Sequence, residues 1–285
     1  MRARKVFQCF NYIFMLFIIF VTAYPFFYVI IASFSDPHEF SVFQGFLLQP
    51  LKPYTLRAYE IVFSNRLIIS GFRNTLFVLV AGVCVNLILT VLGAYFLNIK
   101  GPMFKNAIAM MIVFTMYFSG GIIPTYLNVR DFGLLNSLWS LIIPGAINTA
   151  NLIIMKSAFA SVPGSLLEAA ELDGASYFQV LWKVMLPLSK ATLAVMVLYY
   201  GVAHWNAWFN ASIYLNKQSL YPVQLVMRNL LETGGQLVDD MDEMAEYKES
   251  IRYALIVVTT TPILVLYPFI QKYFTKGVMI GAVKG

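Results

Sequence analysis

The chain has 285 residues, of which 59% are hydrophobic and 12% are charged, and its mean hydropathy is +0.72. A soluble globular domain carries about 25% charged residues, so 20 basic and 14 acidic side chains could not cover the surface of one this large. The composition therefore excludes most soluble proteins and predicts an all-α membrane protein. The net charge of +6 is no sign of nucleic-acid binding, because no basic stripe with exposed aromatic residues accompanies it.

Six apolar runs are long enough to cross a bilayer core about 30 Å thick, which needs roughly 20 helical residues. The first run is too long for a signal peptide and lacks a small-residue cleavage site, so we expect it to be retained as a helix. The runs predict one polytopic membrane domain over residues 1–285. The predicted spans are residues 6–34, 74–99, 103–128, 132–155, 191–216 and 253–271.

The basic residues predict which side of the membrane holds the termini. With six spans both termini share a side, and that side carries eleven basic and three acidic residues, a net charge of +8. The opposite side carries nine basic and eleven acidic residues, a net charge of −2. Lys and Arg accumulate in cytoplasmic loops, so the termini and the loop at 157–190 are predicted to be cytoplasmic. The loop at 217–250 then faces outward.

The loop at 157–190 has the pattern of two short helices rather than of a tether. Ser165 and Glu168 have the spacing of a capping box, which starts a helix. Gly174 can adopt the left-handed conformation that ends one. Ser176 and Gln179 have the same capping-box spacing, which predicts the start of another helix, and we expect this helix to end at Pro187.

The two helices differ in their side chains. Ala169 and Ala170 on the first helix would let another surface approach closely, which makes this helix a candidate docking element. Sealing the membrane core is an equally good interpretation of the loop. On the second helix, helical spacing predicts one buried stripe, formed by Phe178, Leu181, Trp182 and Met185.

Three motifs in this loop keep a distinctive spacing, namely Glu168-Ala169-Ala170, Asp173-Gly174-Ala175 and Leu186-Pro187. In this order they resemble the EAA loop of bacterial ABC importer permeases. Trp182 and Val184 stand where that pattern often has Phe and Ile, and the apolar character is kept. The residues that would couple the chain to an ATPase are Glu168, Ala169, Ala170, Asp173, Gly174, Leu186 and Pro187.

The resemblance extends over nearly the whole chain. Arg73-Asn74-Thr75-Leu76 and Trp205-Asn206-Ala207-Trp208-Phe209 are similar to carbohydrate-uptake permeases of the maltose-permease type. The tail at 271–281 resembles the narrower LplC/YtcP-type oligosaccharide group. This implies the type I ABC importer permease fold, with six transmembrane helices and cytoplasmic termini. It also implies an oligosaccharide substrate. By analogy with the narrower group, we expect this oligosaccharide to contain uronic acids.

The resemblance implies an assembly around the chain. Its partners would be a second permease subunit, an ATP-binding subunit dimer and an extracytoplasmic solute-binding protein, besides the oligosaccharide and membrane lipid. The first loop helix would be a coupling helix in a cleft of the ATPase, with Glu168 as a capping and anionic contact and Gly174 turning the chain back. The tail at 274–285 would insert between the ATPase subunits. Whether the two permease subunits are identical stays open.

The sequence carries no signature of catalysis of its own. It has no Gly-x-x-x-x-Gly-Lys-Ser/Thr phosphate loop, no H-E-x-x-H motif and no Cys/His metal spacing. We therefore expect no cofactor, no metal and no nucleic-acid partner, with ATP hydrolysis in a separate subunit. His204 is more simply explained as a structural, hydrogen-bonded histidine than as a catalytic one.

Amides and aromatic rings within the spans are candidates for a sugar path, since sugars stack on rings and hydrogen-bond to amides. Polar groups in a membrane usually face the bundle interior, but interhelical hydrogen bonds and an interfacial Trp belt explain the same residues. The candidates are Asn151, Trp205, Asn206, Trp208 and Asn210, together with Asn86, Tyr117 and Asn148.

The outer loop has two parts. Apolar residues at helical spacing predict an amphipathic helix at 221–232. Gly234 and Gly235 follow, and then an acidic run that includes Asp239 and Asp240. These four residues are candidates for docking the binding protein, although a charged run is usually just solvated.

Other functions remain open at this point. The EAA loop does not separate a sugar permease from one for phosphate, amino acids or polyamines. A self-sufficient channel would more naturally show a selectivity filter or a ring-forming repeat. An intramembrane enzyme would need a nucleophile or metal constellation, and no such constellation is found.

Overall fold

The computed structural model describes residues 2–99, 101, 103–232 and 243–282, and this part of the chain is helical without a strand. The all-α class is therefore confirmed. The helices are α1 Arg2–Ser33, α2 Pro37–Val42, α3 Arg57–Ser64, α4 Arg66–Asn98, α5 Lys105–Tyr117, α6 Ile122–Asp131, α7 Thr149–Ala160, α8 Gly164–Leu172, α9 Tyr177–Leu188, α10 Lys190–Trp205, α11 Trp208–Tyr214, α12 Val223–Glu232 and α13 Glu243–Ala282.

Three single helical segments in the described residues are long and apolar enough to cross a membrane: Phe7–Ser33, Arg66–Asn98 and Tyr247–Leu266. They correspond to the first, second and sixth predicted spans. Three further pairs of helices pass the same test of length and composition only as bent pairs, with bends of 116°, 72° and 84°. Counting each pair as one span gives up to six.

The third, fourth and fifth predicted spans are wrong as continuous helices, and in the fifth α10 ends at Trp205 before α11 begins at Trp208. In the third, Gly120 and Gly121 separate α5 from α6, and Gly121 has a φ of +87° that favours glycine. In the fourth, residues 132–148 contain a 3₁₀ turn at Leu138–Leu141 and irregular backbone around Pro144 and Gly145 before α7 begins. Apolar composition predicts burial in lipid but cannot reveal such a break.

The chain divides into two compact units. The first contains the described residues of 1–69 and 226–262. In it, the hydroxyls of Ser33 and Tyr59 are 2.6 Å apart, and the backbone N–H of Leu47 donates to the Tyr24 hydroxyl at 3.1 Å. These bonds fasten the segment after α1 back onto that helix.

The second unit, within residues 70–225 and 263–285, holds two hydrophobic clusters. One cluster joins α4, α7, α9 and α10, and its fully buried members include Met155, Met196 and Leu181. The other surrounds Ile142 and Leu215, where α4, α11 and the irregular segment meet. The first cluster supports α8, and the irregular segment lies beside the cavity described below.

Candidate functional site

Helix α8 begins two residues earlier than the sequence pattern indicates. Pro163 occupies the N-cap position with no side-chain cap, and Gly164 is the first helical residue. Ser165 therefore lies inside the first turn, where its hydroxyl cannot cap the helix. The predicted capping box of Ser165 and Glu168 is wrong, because the fixed φ of Pro163 already places the chain at the helix entrance.

The end of α8 follows the prediction. Gly174 has a φ of +77°, and its N–H donates to the Glu171 carbonyl at 3.0 Å. The N–H of Ala175 donates to the Ala170 carbonyl, also at 3.0 Å. This pair of bonds is a Schellman motif, which satisfies the last carbonyls of the helix.

Helix α9 starts at the predicted second capping box. The Gln179 N–H donates to the Ser176 hydroxyl at 3.4 Å, and the Gln179 side-chain oxygen accepts from the Ser176 N–H at 2.8 Å. Pro187 lies within the last turn, since the helix ends at Leu188 and then bends by 84° into α10. Leu186 beside it is half-buried against the first cluster.

Only half of the predicted stripe on α9 is buried. Leu181 and Met185 are each 2% exposed, whereas Phe178 and Trp182 are 63% and 58% exposed. Residues Leu181–Met185 form a π-helical turn, which has more residues per turn than an α-helix and so shifts the helix face. Phe178 and Trp182 contact each other instead, with ring centroids 6.0 Å apart.

The two faces of α8 differ. Leu167 and Ala170 pack against the first cluster, so one face of α8 is fixed to α4, α7, α9 and α10, as the sealing interpretation requires. Ala169 is exposed on the other side, and Leu172 at the helix end is 90% exposed. The two interpretations of this loop are therefore compatible, because each uses its own surface of α8.

The carboxylates of α8 lie beside a cavity of about 330 Å³. Glu168 and Glu171 line it together with Tyr95, whose hydroxyl donates to the Tyr177 carbonyl at 2.8 Å. Asp173, at the end of α8, is exposed. An exposed helix with two carboxylates at a small cavity can receive a cationic side chain from another protein.

A larger cavity, of about 760 Å³, collects polar side chains inside the second unit. Three of the residues predicted as candidates for a sugar path line it, namely Asn148, Asn151 and Asn210. Tyr199 and Tyr200, which the sequence reasoning missed, complete the polar wall. The sequence offered one signal for them, namely that the two tyrosines are adjacent within an apolar predicted span.

Three of the predicted path residues lie elsewhere. Trp205 is buried near Phe72, with ring centroids 6.5 Å apart, and lines a separate apolar cavity of about 400 Å³. The exposed Asn206 donates to the Val202 carbonyl at 3.0 Å, where α10 ends. Trp208 packs against the second hydrophobic cluster.

His204 is hydrogen-bonded, as the structural interpretation predicts. Its Nε2 lies 2.6 Å from Oδ1 of Asn86, and both side chains are buried. The Asn86 amide donates to the carbonyls of Gly145 and Ala146, each at 2.9 Å. Asn86 is therefore fully engaged by protein groups and is not free to bind a solute.

The predicted outer helix is present as α12. Val223, Val226 and Leu230 are buried and Met227 is half-buried, as the spacing predicts. The four candidate docking residues lie outside the described residues: Gly234, Gly235, Asp239 and Asp240. Across the described ranges, no group of three or more His, Cys, Asp or Glu residues is placed to hold a metal ion.

Known proteins match this chain over most of its length. A polygalacturonan/rhamnogalacturonan transport system permease protein, YtcP of Bacillus subtilis, is 39% identical over 99% of both chains. Protein LplC of the same organism is 40% identical over all of this chain and 97% of its own. A crystal structure of a bacterial ABC transporter that imports the acidic polysaccharide alginate has a chain with a TM-score of 0.89 and 32% identity, covering 96% of this chain and 98% of that one.

The predicted resemblance to sugar ABC permeases is confirmed by these relatives. YtcP is a transport system permease protein by name, and this chain is a transport subunit rather than an enzyme. Residues 102–280 match the family described as binding-protein-dependent transport system inner membrane component. The chain belongs to that family.

Proposed function

We propose that this chain moves an oligosaccharide across the cytoplasmic membrane and that α8 couples it to a separate ATPase. The observation that carries the proposal is the structure of α8 and its surroundings. A short helix, closed by a Schellman motif, is fastened on one face to the cluster of α4, α7, α9 and α10 and exposes its other face.

Because α8 is fastened to this cluster, a force on its exposed face is passed to the spans. Closure of an ATPase dimer around α8 would rock them between inward-open and outward-open states. Glu168 and Asp173 offer anionic contacts, and Ala169 lets the partner approach closely. Gly174, Leu186 and Pro187 hold α8 at its angle to the spans.

The assembly also needs partners on both sides of the membrane. A second permease subunit would complete the pore, with an ATP-binding subunit dimer below. A solute-binding protein would dock outside, at the loop that contains Gly234, Gly235, Asp239 and Asp240. This arrangement places α8 and both termini in the cytoplasm, which the charge asymmetry supports.

The substrate class is supported by the relatives and by the larger cavity. Two of the relatives handle acidic polysaccharides or their components by name, polygalacturonan/rhamnogalacturonan and alginate. The described lining of the cavity has amide, phenol and imidazole groups, without Asp or Glu to repel an anionic sugar. We infer that the substrate is an oligosaccharide that contains uronic acids.

Uptake by cells tests the substrate class. Cells that lack this chain should lose uptake of labelled oligogalacturonides or alginate oligosaccharides, and the intact chain supplied in trans should restore it. Maltodextrin, phosphate and amino acid uptake serve as controls. Loss of phosphate or amino acid uptake with unchanged uptake of all oligosaccharides would overturn the proposal.

A further inference from the structure

The irregular segment at 142–148 lies inside the predicted fourth span, so its backbone needs hydrogen-bond partners that a helix would have supplied. Pro144 has no N–H to donate, and the turn around Gly145 leaves carbonyls without helical partners. In lipid, irregular backbone persists where protein groups satisfy it. The side chains that satisfy these backbone groups therefore show what holds the segment in place.

Asn86 on α4 supplies two of these bonds. Its Nδ2 donates to the carbonyls of Gly145 and Ala146, both at 2.9 Å, and its side chain is fully buried. Both N–H groups of the amide are used in this way. The segment is thus tied to α4 at Gly145 and Ala146.

His204 fixes the orientation of that amide. Oδ1 of Asn86 can only accept, so Nε2 of His204, 2.6 Å away, must be the donor. A flipped amide would set its oxygen against two carbonyl oxygens. Gly82 leaves room for the ring, because a Cβ built there would lie 2.7 and 2.8 Å from Cε1 and Cδ2 of His204.

The far end of the segment is also tied. The hydroxyl of Tyr200 accepts from the N–H of Asn148 at 3.2 Å and lies 2.7 Å from the Thr90 hydroxyl. The side chain of Asn148 then caps α7 by accepting from the N–H of Asn151 at 3.0 Å. The position of the segment therefore sets where Asn148 and Asn151 stand on the cavity wall.

We propose that Gly82, Asn86 and His204 form a clamp that holds residues 142–148 and positions Asn148 and Asn151 on the wall of the 760 Å³ cavity. Gly82 and Asn86 act through the segment, whereas His204 orients the Asn86 amide and also lines the cavity. The benefit to transport rests on the proposed function, whereas the clamp itself is a property of this chain alone.

Cysteine labelling tests the clamp without any sugar. In a Cys9→Ser, Cys84→Ala background, Asn151→Cys reports the wall that the clamp positions, and Asn210→Cys on α11 is the matched control. In opened membranes, His204→Leu should change the rate of maleimide labelling at position 151 by about fivefold or more, since it leaves buried polar groups unpaired. The rate at position 210 should stay within about twofold, because α11 carries no clamp residue.

Two further variants make the test decisive. His204→Gln keeps an N–H donor at similar reach and should restore most of the labelling rate at position 151. Gly82→Ala should reproduce His204→Leu by displacing the ring, and it provides the same test if His204→Leu does not accumulate. Unchanged labelling at position 151 in a well-expressed His204→Leu or Gly82→Ala variant would overturn the clamp.

The transport role is measured separately, by ATP hydrolysis of the assembled transporter with sugar-loaded binding protein. His204→Leu and Gly82→Ala should each lower the stimulated rate, and the double variant should be no worse than His204→Leu alone. Additive losses would contradict a shared clamp. A labelling shift in a chain that transports no sugar would leave the clamp standing and count against the proposed function.

Discussion

Ser165 and Ser176 stand in the same local pattern, each followed three residues later by Glu or Gln. Ser176 occupies the N-cap position of α9, while Ser165 lies in the first turn of α8 behind Pro163. The difference of two positions decides whether the hydroxyl can reach an unpaired backbone N–H. A pattern of spacing thus identifies a helix start without identifying which residue is the cap.

This difference gives a matched pair of substitutions. Ser176→Ala should destabilise the start of α9 by about 1 kcal/mol, the usual cost of losing a side-chain cap. Ser165→Ala should leave stability within about 0.5 kcal/mol, as for an exposed residue without a special role. Thermal unfolding of the purified chain measures both, and equal losses would contradict the helix starts described here.

At the scale of elements, the sequence predicted continuous helices well, but it predicted the breaks between helices poorly. The long apolar runs of α1, α4 and α13 have no internal interruption strong enough to end a helix, even though Pro25 lies in α1. The irregular segment at 142–148 is as apolar as its neighbours, so hydropathy alone could not locate it. Its structure depends on Asn86, which is 59 residues away from Gly145 in sequence.

The burial of side chains on α9 could also be predicted only in part, because this helix contains a π-helical turn. Regular helical spacing predicts one buried stripe, but the structure buries Leu181 and Met185 and leaves Phe178 and Trp182 exposed. The π-helical turn changes the angular spacing of side chains from Leu181 onward. Such a turn has no reliable local pattern.

The exposed end of α8 predicts a contact with the ATPase. Leu172→Ser should weaken copurification of the ATPase with the permease by about fivefold or more, because it removes most of a large apolar side chain from the interface. Leu56→Ser is the control, since Leu56 is 59% exposed just before α3, between the first and second predicted spans and so on the side predicted to be opposite the termini. Equal effects of both substitutions would argue against α8 as the docking element.

At the scale of the whole molecule, the charge asymmetry predicts the topology. In a cysteine-free background, Lys217→Cys should react with a membrane-impermeant maleimide in intact cells. Ser165→Cys should react only after the membrane is opened, because its loop belongs to the basic, cytoplasmic side. The reverse pattern would invert the proposed orientation.

Only some of the residues that line the 760 Å³ cavity could be predicted from the sequence. Asn151 and Asn210 reach it from α7 and α11, while Trp205 and Trp208 of the same motif face other surroundings. The two tryptophans lie on either side of the break at Asn206, where α10 ends before α11 begins. Residue type identified suitable chemistry, but it did not show which of these residues line one cavity.

The central claim is that α8 couples a separate ATPase to oligosaccharide transport. Its most direct test is the ATP hydrolysis of the reconstituted transporter with and without sugar-loaded binding protein. Gly174→Asn is the matched control for Gly174→Asp, since Asn tolerates a positive φ better than most residues and adds no charge beside Asp173. A Cβ at position 174 meets no atom within 4 Å, so a clash inside this chain does not explain a loss.

The account predicts that Glu168→Ala and Gly174→Asp abolish the sugar-dependent stimulation while the chain stays in the membrane. Gly174→Asn should retain a large part of the stimulation. Undiminished stimulation in both Glu168→Ala and Gly174→Asp would contradict the account.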